Sequence, residues 1–265
     1  MISSNWLPYE DRRLSPEERA SAAWEAYLCQ NLMARFTFAQ EQGMEAEWFD
    51  ELWSGREDIS LGENNGFWIG RQPVRRAWAE GRAAARQADA EILRVSRPEA
   101  GPGDGSMDRV NLMSPLVEVA RDGETAKAMW YCPGVSARSE ADGKMHLCWH
   151  YIRYAADFIR EEGKWRLWHV FAGSEFRFEM GHAYIPATGM KPLPDATEYP
   201  QNPDTAHLPL GRTKMPPYDL SIQVYSIDYG WSAYPAEPIP YERFEDTFTY
   251  GPEPFLAMAG KEKGK

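Results

Sequence analysis

Apolar residues recur at helical spacing through the first third of the chain and alternate with polar ones through the second. Behind Ser15, Trp24, Tyr27, Leu28, Leu32 and Phe36 gather on one face, which predicts a long amphipathic helix to about Gln42. Ser15 can cap that helix, Pro16 suits its first position, and Glu18 completes a capping box. Gly43 ends it. A second, short helix carries Trp48, Phe49, Leu52 and Trp53, residues 62–66 form a turn, and a third helix runs from Pro73 through Trp78 to about Arg86.

The period then changes to two. Residues 109–120, 124–132, 146–160 and 164–172 read as strands, parted by Asp122-Gly123, by a Pro/Gly/Ser-containing stretch at 133–143, and by Glu162-Gly163. Helices first and an antiparallel run afterwards is the pattern of an α+β domain, here 1–174. From 175 to 265 the character shifts, and thirteen of the twenty prolines fall between Pro186 and Pro254. A disordered tail would be poor in aromatics. This one is rich in Tyr, so an extended arm packed on its own body or on a neighbouring subunit is expected.

Composition narrows the function. A formal charge of −11 disfavours nucleic acid, whose binding rests on neutralising phosphates. No stretch has the roughly 20 apolar residues of a membrane span, and the first residues lack the basic start and apolar run of a signal peptide. Three cysteines (Cys29, Cys132, Cys148) at unrelated spacings fit buried thiols in a reducing compartment, so a cytoplasmic location is expected. Eleven Trp exceed what the core needs, and some can wall an apolar ligand site.

Several segments carry a resemblance. They are the first helix, the Trp48-Phe49 helix, Phe67-Trp68-Ile69-Gly70, Ser114-Pro115-Leu116-Val117-Glu118-Val119, Trp130-Tyr131-Cys132, and the run from Asp157 to Leu167. Together they are similar to the SnoaL-like families of the NTF2-like superfamily, over roughly 15–172. The resemblance implies a cone: helices packed in a curved, mostly antiparallel sheet around an apolar pocket. It also implies association through the outer face of the sheet, as a homodimer or homotrimer. Such domains serve as dehydratases, isomerases, cyclases or plain binding modules, so fold alone leaves function open. The long aromatic and proline-rich extension further resembles the cofactor-independent diarylpropane lyases of lignin breakdown. Those eliminate water and formaldehyde from an aromatic dimer diol to give a stilbene.

Acid/base elimination needs a group that moves a proton and a donor that steadies negative charge. On the last strand Trp165, Leu167, His169 and Phe171 share parity, and the family pattern places that set inward. His150 and Tyr154 share parity on the strand before, Arg109 and Asn111 on the first, and Trp130 faces the same space from the second. His169, His150, Tyr154 and Arg109 are thus the candidate catalytic residues. Asn111, Trp130, Tyr27, Trp68, Phe171 and Glu175 are the candidate substrate contacts. On this reading His169→Ala lowers turnover by at least about a hundredfold and leaves folding intact.

The expected ligand is a small aromatic substrate, with neither metal nor nucleotide as cofactor. His146 and His150 would be about 13 Å apart along a strand and so form no chelate. The glycine-rich 101–105 segment lacks the lysine of a phosphate loop. Isomerisation, cyclisation or dehydration of a polyketide- or steroid-like ligand is the alternative, and non-catalytic binding a third.

Overall fold

The computed structural model describes residues 15–63, 66–139, 145–179, 213–214 and 235–253. Helix α1 (Pro16–Gln42) opens on the expected capping box. The Glu18 amide donates to Ser15 Oγ at 3.1 Å and the Ser15 amide to Glu18 Oε2 at 2.6 Å. Gly43 closes it with φ of 75°, a left-handed conformation that glycine adopts without strain. Helix α2 (Glu45–Leu52) follows, and a hairpin of β1 (Ser60–Glu63) and β2 (Gly66–Ile69) replaces the expected simple turn. The third helical region is longer than its pattern suggests. It is α3 (Arg71–Arg75), a π turn (Arg76–Gly81) and α4 (Arg82–Leu93). Buried Glu45 ties α2 to α4 through Arg86 at 2.7 Å.

The sheet is built from β3 (Ser106–Val110), β4 (Met113–Val119), β5 (Thr125–Ser139), β6 (Met145–Glu161) and β7 (Lys164–Glu179). β3 and β4 both pair with β5, which pairs with β6 and β6 with β7, all antiparallel. β7 then takes β1 alongside in parallel, followed by β2 and the short β8 (Thr213–Lys214). The 133–139 stretch, expected to be a turn, continues β5. Pro133 is tolerated there because it lies opposite the break between β3 and β4, where its carbonyl accepts from the Asn111 amide at 3.0 Å.

The helices cover the concave face of this sheet. Phe36 stacks on Trp78 at 5.1 Å, and Phe49 and Trp53 pack around them. The same core takes in Leu61 and Trp68 with Trp130, Cys132, Tyr154, Ala156, Phe158, Leu167 and Val170 from the long strands. A second, smaller core lies on the convex face, where Phe67, Met129, Ala155 and Phe171 meet Tyr250 and Phe248. Residues 235–253, part of the expected arm, therefore pack on their own sheet, and cover part of the outer face where association between subunits is expected. No helix among the described residues is long and apolar enough to cross a membrane.

Candidate functional site

The two faces carry different polar groups. On the concave face, β5 contributes Trp130, β6 contributes Ile152 and Tyr154, and β7 contributes Val170 and Ala172. Register sets Tyr154 directly between Trp130 and Ala172. The Tyr154 hydroxyl meets Gln40 Oε1 of α1 at 3.5 Å, while Arg82 and Asp108 pair at 3.1 Å nearby. Burial raises the Tyr154 phenol above its ordinary range. It remains a neutral donor at any physiological pH. That suits it to steady negative charge rather than to remove a proton.

His150 also belongs to this face, but four residues further along β6, about 13 Å by strand rise. It lies against Gly134, where any side chain would collide with the imidazole and with the Arg109 carbonyl. Trp68 is buried in the concave core. Burial pushes the Cys132 thiol up to about 12 and raises Cys29 as well, so neither supplies a thiolate nucleophile.

The other candidates are placed elsewhere, which corrects the parity expectation. β7 bulges: Asp157 of β6 faces His169 and Phe158 faces Leu167, so Trp168 is an extra residue. That slip turns His169 and Phe171 to the convex face and brings Val170 and Ala172 inward in their place. Arg109 lies with its side chain 46% exposed and ion-paired to Glu41. Its neighbour Val110 takes the inward position. Asn111 is exposed and holds the Pro133 carbonyl. Tyr27 is 51% exposed beside Trp24, on the outer side of α1. Glu175 sits at a second β7 bulge and pairs with Arg153. Trp130, Tyr154 and Trp68 are brought together, with His150 further along the same face.

The convex face holds a feature the parity argument missed. Glu118, Lys127, Asp157, His169 and Ser60 are successive cross-strand partners, a polar row spanning β4, β5, β6, β7 and β1. Asp157, fully buried, accepts from Lys127 Nζ at 2.6 Å, His169 Nδ1 at 2.8 Å, Thr249 Oγ1 at 2.7 Å and the Tyr250 amide at 2.8 Å. A carboxylate only accepts, so His169 carries its proton on Nδ1. Burial alone would push the Asp157 carboxyl up. The Lys127 charge and the hydrogen bonds from His169 and Lys127 outweigh it and hold the group below the usual range. The Lys127 ammonium, also fully buried, faces the rings of Phe244 at 4.2 Å, Phe248 at 5.3 Å, Tyr250 at 5.5 Å and Tyr241 at 5.8 Å. Two of Asp157's four donors come from residues 249–250. The cluster thus acts as a latch that fastens the C-terminal segment to the sheet.

The family model of the SnoaL-like domain matches residues 25–170. The chain belongs to that family, and its architecture is the α+β, NTF2-like one with a curved open sheet. No protein of curated function matches it. Among solved structures, it is similar to an NTF2-like protein with a cystatin-like fold from Novosphingobium aromaticivorans. That pair shares 20% identity over 62% of this chain and 91% of the other, with a TM-score of 0.40. It is also similar to the hexachlorocyclohexane dehydrochlorinase LinA-type3 from Novosphingobium barchaimii, at 9% identity over 65% and 99% of the two chains and a TM-score of 0.40. At these scores neither likeness bears on chemistry.

Proposed function

We propose that this chain is a cofactor-independent lyase acting on a small aromatic molecule bound against the concave face. The observation that carries the reading is Tyr154, a phenol kept neutral by burial in an aromatic core that also holds Trp130 and Trp68. Aromatic walls bind a planar ring at little entropic cost, and a dry environment strengthens the one hydrogen bond the phenol offers.

The best-fitting substrate is a diarylpropane 1,3-diol with a para-hydroxyl on the ring beside its benzylic alcohol. The benzylic hydroxyl leaves as water, taking the para-hydroxyl proton, and a quinone methide forms. A base next removes the proton of the terminal hydroxyl. The carbon–carbon bond breaks to release formaldehyde, and its electron pair passes through the new double bond into the ring, giving the stilbene phenolate. That oxygen takes up the proton held by the base. Tyr154 donates a hydrogen bond to the ring oxygen as its charge grows.

Incubation of the purified chain with such a diol tests the proposal. Formaldehyde and a stilbene should appear in equal amounts. A product of unchanged mass would replace it with isomerisation or cyclisation, and tight binding without conversion would replace it with a binding module.

A further inference from the structure

Tyr154 offers a donor, but the elimination also needs a base within reach of the same substrate, and strand register locates a candidate. Ala172 of β7 faces Tyr154 of β6 on one side and Glu63 of β1 on the other. Faces alternate along β1. A side chain at Gly62 would strike Phe67 and Phe171, which belong to the convex core, whereas Leu61 belongs to the concave core. Glu63 therefore shares the concave face with Leu61, Ala172 and Tyr154. The row reads Glu63, Ala172, Tyr154, Trp130.

Ala172 is the smallest member of that row, and it stays partly exposed although it lies on an interior strand. In register, a carboxylate-bearing position stands on one side of it and a phenol on the other, with Trp130 beyond the phenol. Two strand spacings separate Glu63 and Tyr154 at the backbone, roughly 9.6 Å, enough for a substituted ring to lie between them. The Glu63 charge is also felt at the Tyr154 phenol, which it helps to keep protonated. His150 is worse placed, because it lies about 13 Å along β6 from Tyr154 rather than across the row from it.

We infer that Glu63 is the general base of the elimination, taking the proton of the substrate's terminal hydroxyl while Tyr154 holds the ring oxygen. The inference rests on the lyase reading above. The carboxylate accepts that proton as the carbon–carbon bond breaks, formaldehyde departs, and the proton passes to the phenolate oxygen of the stilbene before release. Atoms and charge balance without a further reactant.

The test compares the wild-type chain with Glu63→Gln and Glu63→Asp, following formaldehyde release, stilbene affinity by tryptophan quenching, and thermal melting. Glu63→Gln should lower kcat about a hundredfold. It should remove the acidic limb of the kcat/KM profile and leave stilbene affinity and melting temperature near those of the wild type. Glu63→Asp, which keeps the carboxylate one methylene back, should retain measurable turnover and the acidic limb. An active wild type with an equally active Glu63→Gln overturns the assignment and leaves the lyase reading standing. If Glu63→Gln fails to fold, the Glu63→Asp profile decides: an acidic limb unchanged in position and a kcat equal to wild type overturn the assignment. A wild type that releases no formaldehyde from the diol overturns the lyase reading, and this assignment with it.

Discussion

The concave and convex faces of the β5–β6–β7 sheet use polar side chains in opposite ways. On the convex face a carboxylate, an ammonium and an imidazole are sealed together, and Asp157 has its acceptor positions filled by groups of its own chain. His169 Nε2 and Ser60 Oγ of the same row are buried without a hydrogen-bond partner among the described residues. On the concave face a phenol meets an amide at the long end of hydrogen-bond distance, and Glu63 stands across Ala172 from it in register. A buried carboxylate held by four donors of its own chain fastens structure, whereas a phenol with one long hydrogen bond is less tightly committed.

The largest effect that sharpens this contrast comes from breaking the latch. Asp157→Asn leaves Lys127 buried without its counter-charge, which should cost about 3–5 kcal/mol of stability. Chemical denaturation would measure it, and limited proteolysis should show earlier cleavage near residues 241–253. Acid should act on the same group. Asp157 has its folded pKa below its unfolded one, so its stabilisation is complete above about pH 4 and is lost as pH falls through the folded value. Wild-type melting temperature should therefore drop steeply below pH 4, and that of Asp157→Asn less so. Equal slopes would show that the carboxylate is not the fastening group.

A smaller effect is expected at the far end of the polar row. Burial raises the Glu118 carboxyl to about 7. Between about pH 4.5 and pH 7 the folded chain holds a proton that the unfolded chain has released, so stability declines as pH rises through that window. Glu118→Gln should raise the melting temperature by about 2 °C at pH 8 and leave it unchanged at pH 4. A gain at both pH values would point to packing rather than to ionisation.

Much of this fold is written in local pattern. The Ser15–Glu18 capping box and the Gly43 stop are short-range signals, and each is seen where its residues predict it. The candidate site was less legible because a face assignment depends on every residue between. One bulge at Trp168 reverses parity, and it carries His169 and Phe171 across the sheet. A single sequence shows no bulge. Arg109 and Asn111 were misplaced for a related reason, since the chain breaks between β3 and β4 where one continuous strand was expected. The latch did leave a trace. Lys127 stands between Ala126 and Ala128, and Asp157 between Ala156 and Phe158, so each interrupts an apolar run with a charge. Glu63 left none, because its role depends on β1 lying parallel to β7, a long-range pairing that composition does not reveal.

A side-by-side rate measurement on Tyr154→Phe and His169→Ala tests the division of labour most directly. Tyr154→Phe removes a concave hydroxyl donor and His169→Ala an imidazole of the convex latch. With the diol as substrate, at a temperature where both variants are folded, Tyr154→Phe should lose about a hundredfold in kcat with little change in melting temperature. His169→Ala should melt earlier but turn over within a few-fold of wild type. The reverse result, a folded His169→Ala that is inactive beside a fully active Tyr154→Phe, would contradict the account and move the chemistry to the convex face.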